Sequence, residues 1–173
     1  MFYILNADER NITLTINQNH FINLKNPMKC ISNGSTVIPI ILDGNTFTTS
    51  STGNNAVLLS NISGGVIKNN SISNYLTGIN FISSTADCYS NTITCNSLNS
   101  NSIIEESFSN INLGKSGKYY TGGHNNLQAG NNNILPDNSN FNIDFGYNIF
   151  NILNTASIHF DGTFPKTGID FSV

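Results

Sequence analysis

One part of this chain repeats itself, and a repeat constrains the fold more tightly than any short motif. Asn55-Ala-Val-Leu-Leu-Ser60 precedes Ser63-Gly-Gly-Val-Ile-Lys-Asn-Asn-Ser-Ile72, and Gly78-Ile-Asn-Phe-Ile-Ser83 precedes Ala86-Asp-Cys-Tyr-Ser-Asn-Thr-Ile93. A step of about 23 residues carries Leu58 to Phe81, then to Ile104, Leu127, Phe150 and Val173. Ile67, Tyr89, Ile111, Ile134 and Ile158 make a second apolar series at nearly the same step. Equal spacing of apolar residues is the mark of a solenoid, in which each turn stacks on the last and adds a rung to a shared core.

The local pattern says what each rung is made of. Asn11-Ile-Thr-Leu-Thr-Ile16 and Phe21-Ile-Asn-Leu24 alternate with period two, which means strand, and no stretch carries a helical apolar period. Only 10% of residues are charged, against roughly a quarter in ordinary soluble domains, while Asn reaches 32 and Ser 20. Gly44-Asn-Thr-Phe47, Asn69-Asn-Ser-Ile72 and Ser90-Asn-Thr-Ile93 share the form Asn-x-apolar. Asn45, Asn70 and Asn91 are thus expected at one corner of successive turns, each amide bonding its equivalent about 4.8 Å above and below. Such a ladder satisfies tight corners without charge.

The expected fold is all-β, a β-solenoid with turns of about 21–25 residues, which the resemblance given below makes a right-handed parallel β-helix. Residues 1–34 are expected to form the first turns or a cap, with Pro27 at a turn or edge, and residues 35–173 the β-helix proper, all in one domain. Gly114-Lys-Ser-Gly-Lys-Tyr-Tyr-Thr-Gly-Gly123 reads as a protruding loop.

The repeat at Ser63–Ile72 and its echo at Ser90–Ile93 resemble the right-handed parallel β-helices of pectin-lyase-like proteins. The resemblance covers most of residues 35–173. That superfamily holds pectate lyases, polygalacturonases, alginate-modifying enzymes, phage tailspikes and non-catalytic surface proteins, so it implies a fold and not an activity.

A lyase-like mechanism would need an acidic Ca²⁺ cluster with an arginine base, yet the only arginine is Arg10, beside Asp8 and Glu9. Asp43, Asp87, Asp137, Asp144, Asp161 and Asp170 are scattered; Asp144 with Asp170 is the one pair a rung could bring to the roughly 5–10 Å of a glycosidase dyad. Glu105 and Glu106 point to opposite faces of a strand. His20, His124 and His159 lack metal spacing, and no phosphate loop or Gly-x-Ser-x-Gly elbow occurs. No catalytic residue, metal or cofactor is therefore assigned. Cys30, Cys88 and Cys95 read as small buried hydrophobes, with a Cys88–Cys95 disulfide as the alternative.

The candidate binding residues are polar and uncharged. Thr46-x-Thr48, Ser71-x-Ser73 and Thr92-x-Thr94 would form an outward hydroxyl ladder able to meet carbohydrate or ice, and Tyr119, Tyr120 and Tyr147 could stack on sugar rings. Seven Lys plus Arg on a chain of net charge −3 offer no footprint for nucleic acid. No apolar run is long enough to insert in a membrane, and the first ten residues do not read as a signal peptide.

The expectation is a non-catalytic structural or surface-adhesive protein of a cell surface, extracellular filament or virion. It would self-associate as a trimer or end to end and bind polysaccharide. The alternative is a partial or diverged polysaccharide lyase or glycoside hydrolase.

Overall fold

The computed structural model describes residues 2–6, 13–32, 39–107, 109–113, 124–135 and 149–152. Among these, period-two alternation becomes strand throughout, and no helix forms. The strands are β1 (Phe2–Asn6), β2 (Leu14–Asn17), β3 (His20–Ile22), β4 (Met28–Ser32), β5 (Ile40–Asp43), β6 (Thr46–Ser60), β7 (Gly65–Lys68) and β8 (Ser71–Ile82). They continue as β9 (Thr85–Tyr89), β10 (Thr92–Cys95), β11 (Asn101–Glu106), β12 (Asn110–Asn112), β13 (Asn126–Ala129), β14 (Asn132–Leu135) and β15 (Ile149–Ile152).

The pairings among them are parallel, and they stack as a β-solenoid of about four turns. Each turn has three faces. The first runs β2, β5, β7, β9, β12. The second takes β3, the start of β6 and of β8, then β10, β13 and β15. The third takes β1, β4, the ends of β6 and β8, then β11 and β14.

The core is built in columns. On the first face Ile16 lies beside Leu42, Leu42 beside Ile67 and Ile67 beside Cys88. The second face stacks Phe21, Phe47, Ile72, Ile93 and Leu127, with the rings of Phe21 and Phe47 parallel at 4.7 Å. The third stacks Met28, Val57, Ile79, Ile103 and Ile134. These residues are buried, save the half-buried Phe21, and each large one contributes on the order of 1.5–3 kcal/mol through lost water contact. Cys30, Cys88 and Cys95 are buried thiols with no disulfide between them, as the hydrophobe reading expects, and burial pushes the Cys30 and Cys95 thiols up to about 12.

The corner between the first and second faces fixes the register of the stack. Gln18, Gly44, Asn69, Ser90 and His124 all have positive φ there, between 54° and 66°. Each is followed by an asparagine: Asn19, Asn45, Asn70, Asn91 and Asn125. Oδ1 of Asn70 accepts from the backbone N–H of Asn45 at 2.9 Å and from its amide at 3.0 Å. Asn19 donates likewise to Asn45, Asn70 to Asn91 and Asn91 to Asn125. Each amide also reaches a carbonyl of the rung before: Asn45 to Ile16, Asn70 to Leu42, Asn91 to Ile67 and Asn125 to Cys88. One side chain thus closes the corner of two rungs.

A shorter ladder of hydroxyls does the same between the third and first faces. Ser84 Oγ accepts from the Ile62 N–H and donates to backbone carbonyls, and Ser109 Oγ accepts from the Ser84 N–H.

The even step of 23 is corrected by these pairings. The asparagines are separated by 26, 25, 21 and 34 residues. Leu58 sits beside Asn80, which sits beside Ile104, whereas Phe81 is one position on, beside Leu59 and Glu105. Leu127 belongs to another face, in the column of Ile93 and Phe150. Leu58, Phe81, Ile104, Leu127 and Phe150 therefore mark successive rungs but do not form one column. A slip of one residue turns a side chain to the opposite side of the strand. The second series divides in the same way: Ile67 pairs with Cys88 and not Tyr89, Ile111 with Ala86, and Ile134 stands on the third face. Ile158 and Val173 lie outside the described residues.

Candidate functional site

The second face turns its core column inward, so the residues on either side of that column point out. Strand register sets them in two rows. One runs His20, Thr46, Ser71, Thr92, Asn126; the other runs Ile22, Thr48, Ser73, Thr94, Gln128. Thr46, Thr48, Thr92 and Thr94 thus join Ser71 and Ser73 in a block of six hydroxyls, all half-buried or exposed. Neighbours within a row are about 4.8 Å apart along the stack, and the rows are about 6.6 Å apart along the strand. Ser73 donates to Thr48 Oγ1 at 2.9 Å, which pre-aligns part of the block.

The face ends in a built irregularity. After Thr48 the register with β8 slips: Gly53 next pairs with Tyr75, so Thr49–Thr52 oppose Asn74 alone. The bulge is pinned on several sides. Thr49 is buried, and its carbonyl accepts from the Asn74 amide at 3.0 Å. Asn23 Oδ1 accepts from the Ser50 N–H at 2.8 Å, and the Lys25 carbonyl from the Asn54 N–H at 2.9 Å. Gly53 is required here, because a Cβ would lie 2.5 Å from the Tyr75 ring. Tyr75 in turn donates its hydroxyl to the Leu24 carbonyl at 3.0 Å.

Between this bulge and the next rung lies an open groove of about 300 Å³, lined by Ser50, Ser51, Thr52, Asn74, Asn96 and Ser97. No charged side chain lines it. The Asn96 amide donates to Asn74 Oδ1 at 3.2 Å, and Leu98, directly after Ser97, is 70% exposed.

The acidic residues do not converge among the described residues. Asp43 and Asp87 stand in different rows of the first face's outer surface. The Asn69 amide at 2.8 Å, aided by Lys68 Nζ at 3.2 Å, holds the Asp43 carboxyl below its usual value. Asp87 accepts from the Asn112 amide at 2.9 Å. Glu106 accepts from the Asn80 amide at 3.1 Å on the third face. Arg10, Tyr119, Tyr120, Tyr147, Asp137, Asp144, Asp161, Asp170 and His159 lie outside the described residues.

The groove went unpredicted. Its signal in the sequence is length: from the corner asparagine to the third face the chain takes more residues after Asn45 than after Asn70. Asn19 and Asn125 were also missed from the ladder, although Asn19-His-Phe21 and Asn125-Asn-Leu127 carry the same Asn-x-apolar form. Compared with known proteins, the chain matches no protein-family model, no curated protein and no solved structure.

Proposed function

We propose that this protein is a non-catalytic, structural or surface-adhesive β-solenoid of the right-handed, pectin-lyase-like kind, which holds polysaccharide against its second face. The observation that carries this reading is the in-register block of Thr46, Thr48, Ser71, Ser73, Thr92 and Thr94. Hydroxyls both donate and accept, and here strands set their spacing, so a sugar polymer finds matched partners with little ordering cost on the protein side. Uncharged rows suit a neutral polymer. A rigid polar rod also suits display on a cell, virion or filament, and self-association as a trimer or end to end would multiply weak contacts into avidity.

The test is co-sedimentation with insoluble neutral polysaccharides, comparing the parent with a Thr46→Val, Ser71→Ala, Thr92→Val variant. Each substitution removes an outward hydroxyl and leaves the core unchanged. The expected result is retention by the parent, loss of retention by the variant and identical unfolding curves. Equal retention of both proteins, or release of reducing ends or unsaturated products by the parent, would overturn the reading.

A further inference from the structure

We infer that the groove between the Thr49–Thr52 bulge and the Asn96–Ser97 turn is a separate binding site for a single neutral sugar unit, such as a chain end or branch. The inference rests on the carbohydrate reading of the adjoining face and adds a ligand class and a location to it. Three observations converge here. The bulge interrupts the regular pairing of β6 with β8, and it is held by four hydrogen bonds rather than left loose. Bulges that are fixed in this way re-aim side chains, and they are over-represented beside functional sites.

The lining consists of hydroxyls and amides alone. An amide offers donor and acceptor side by side, which matches the neighbouring hydroxyls of a sugar ring, and Asn74 and Asn96 supply two of them. A carboxylate or phosphate would enter without a cation to balance it, so charged sugars are disfavoured. Leu98, the residue after the lining Ser97, is 70% exposed and is the apolar side chain next in sequence to the groove, one against which the C–H face of a bound ring could lie. At about 300 Å³ the groove sits at the lower limit of small-molecule sites, which suits one unit better than an extended chain. It adjoins the Thr48, Ser73, Thr94 row, so a polymer on the face could place its end there.

The experiment is amide NMR titration of the full chain with methyl glycosides of glucose, galactose, mannose and N-acetylglucosamine, with methyl glucuronide as the charged comparator. Shifts confined to residues 50–52, 74 and 96–98 by at least one neutral glycoside, with little response to the glucuronide, are expected. A Ser51→Ala, Thr52→Val, Asn96→Ala variant should weaken that binding by about tenfold or more, the loss of one to two hydrogen bonds. Leu98→Asp, at an exposed position, should do the same without touching the groove's polar groups. The Thr46→Val, Ser71→Ala, Thr92→Val protein should still bind the glycoside, because its groove is intact. Shifts elsewhere, preference for the glucuronide, no shift at millimolar glycoside, or unchanged affinity in both groove variants would each overturn the proposal. If the parent still sediments with polysaccharide in those cases, the face reading survives alone; if it does not, both fall.

Discussion

Replacing Asn70 by alanine should cost far more than the same change at Asn19, though both are asparagines of one ladder. Asn70 is 2% exposed. Its side chain accepts from the Asn45 backbone N–H and amide, and donates to the Leu42 and Lys68 carbonyls and to Asn91 Oδ1. Truncation strands the buried Asn45 N–H, while the Leu42 carbonyl keeps its place in the β5–β7 ladder and Asn91 Oδ1 keeps the Asn70 N–H as a donor. One stranded buried N–H costs about 1–3 kcal/mol, so the loss should reach about 2–4 kcal/mol once the lost amide bonds are included. That is a large part of a typical total of about 5–15 kcal/mol. Asn19 is exposed, and its amide donates only to Asn17 O and Asn45 Oδ1. Water can replace both bonds, so Asn19→Ala should cost under about 1 kcal/mol. Urea unfolding followed by circular dichroism measures the two, provided the slope with denaturant is unchanged. Equal midpoints for the two variants would refute the idea that buried corner amides hold the stack.

Two further outcomes follow from the same geometry. At Gly78 a Cβ would meet Ile93 Cγ2 and come within 2.5 Å of the Ser102 carbonyl, whereas at Gly64, with φ +73°, nothing lies within 4 Å; Gly78→Ala should therefore lose about 1–3 kcal/mol from overpacking, and Gly64→Ala about 1–2 kcal/mol from backbone strain alone, as read from thermal midpoints. Because the Asn69 amide and Lys68 lower the Asp43 pKa in the folded state, its contribution is present above the ordinary aspartate pKa and disappears as pH falls through the lowered folded value; NMR titration should find Asp43 below the usual aspartate range, and Asn69→Gly, which keeps the positive φ, should move it up.

How far the chain could be read from its sequence differs from element to element. Asn45, Asn70 and Asn91 were legible because a corner asparagine has a fixed neighbour pattern, an Asn-x-apolar triplet, that survives insertions elsewhere. The outward rows were legible for the same reason, since Thr46 and Thr48 flank Phe47, Ser71 and Ser73 flank Ile72, and Thr92 and Thr94 flank Ile93. Leu58, Phe81 and Ile104 misled because a fixed step of 23 was laid over rungs of 22 and 24 residues (Leu58 to Asn80 and Asn80 to Ile104), and one residue of slip exchanges inside for outside.

The sequence by itself determined that this protein is a stack of parallel strands with asparagine at its corners, since period-two alternation and a recurring triplet are local properties that every rung must satisfy. Only the tertiary structure decided which residues share a column and where a groove opens. Those depend on how many residues each corner absorbs, and the bulge at Thr49–Thr52 is settled by contacts with Asn23, Lys25 and Asn74 on the rungs either side. Strand register propagates from such contacts and not from the spacing of apolar residues along the chain.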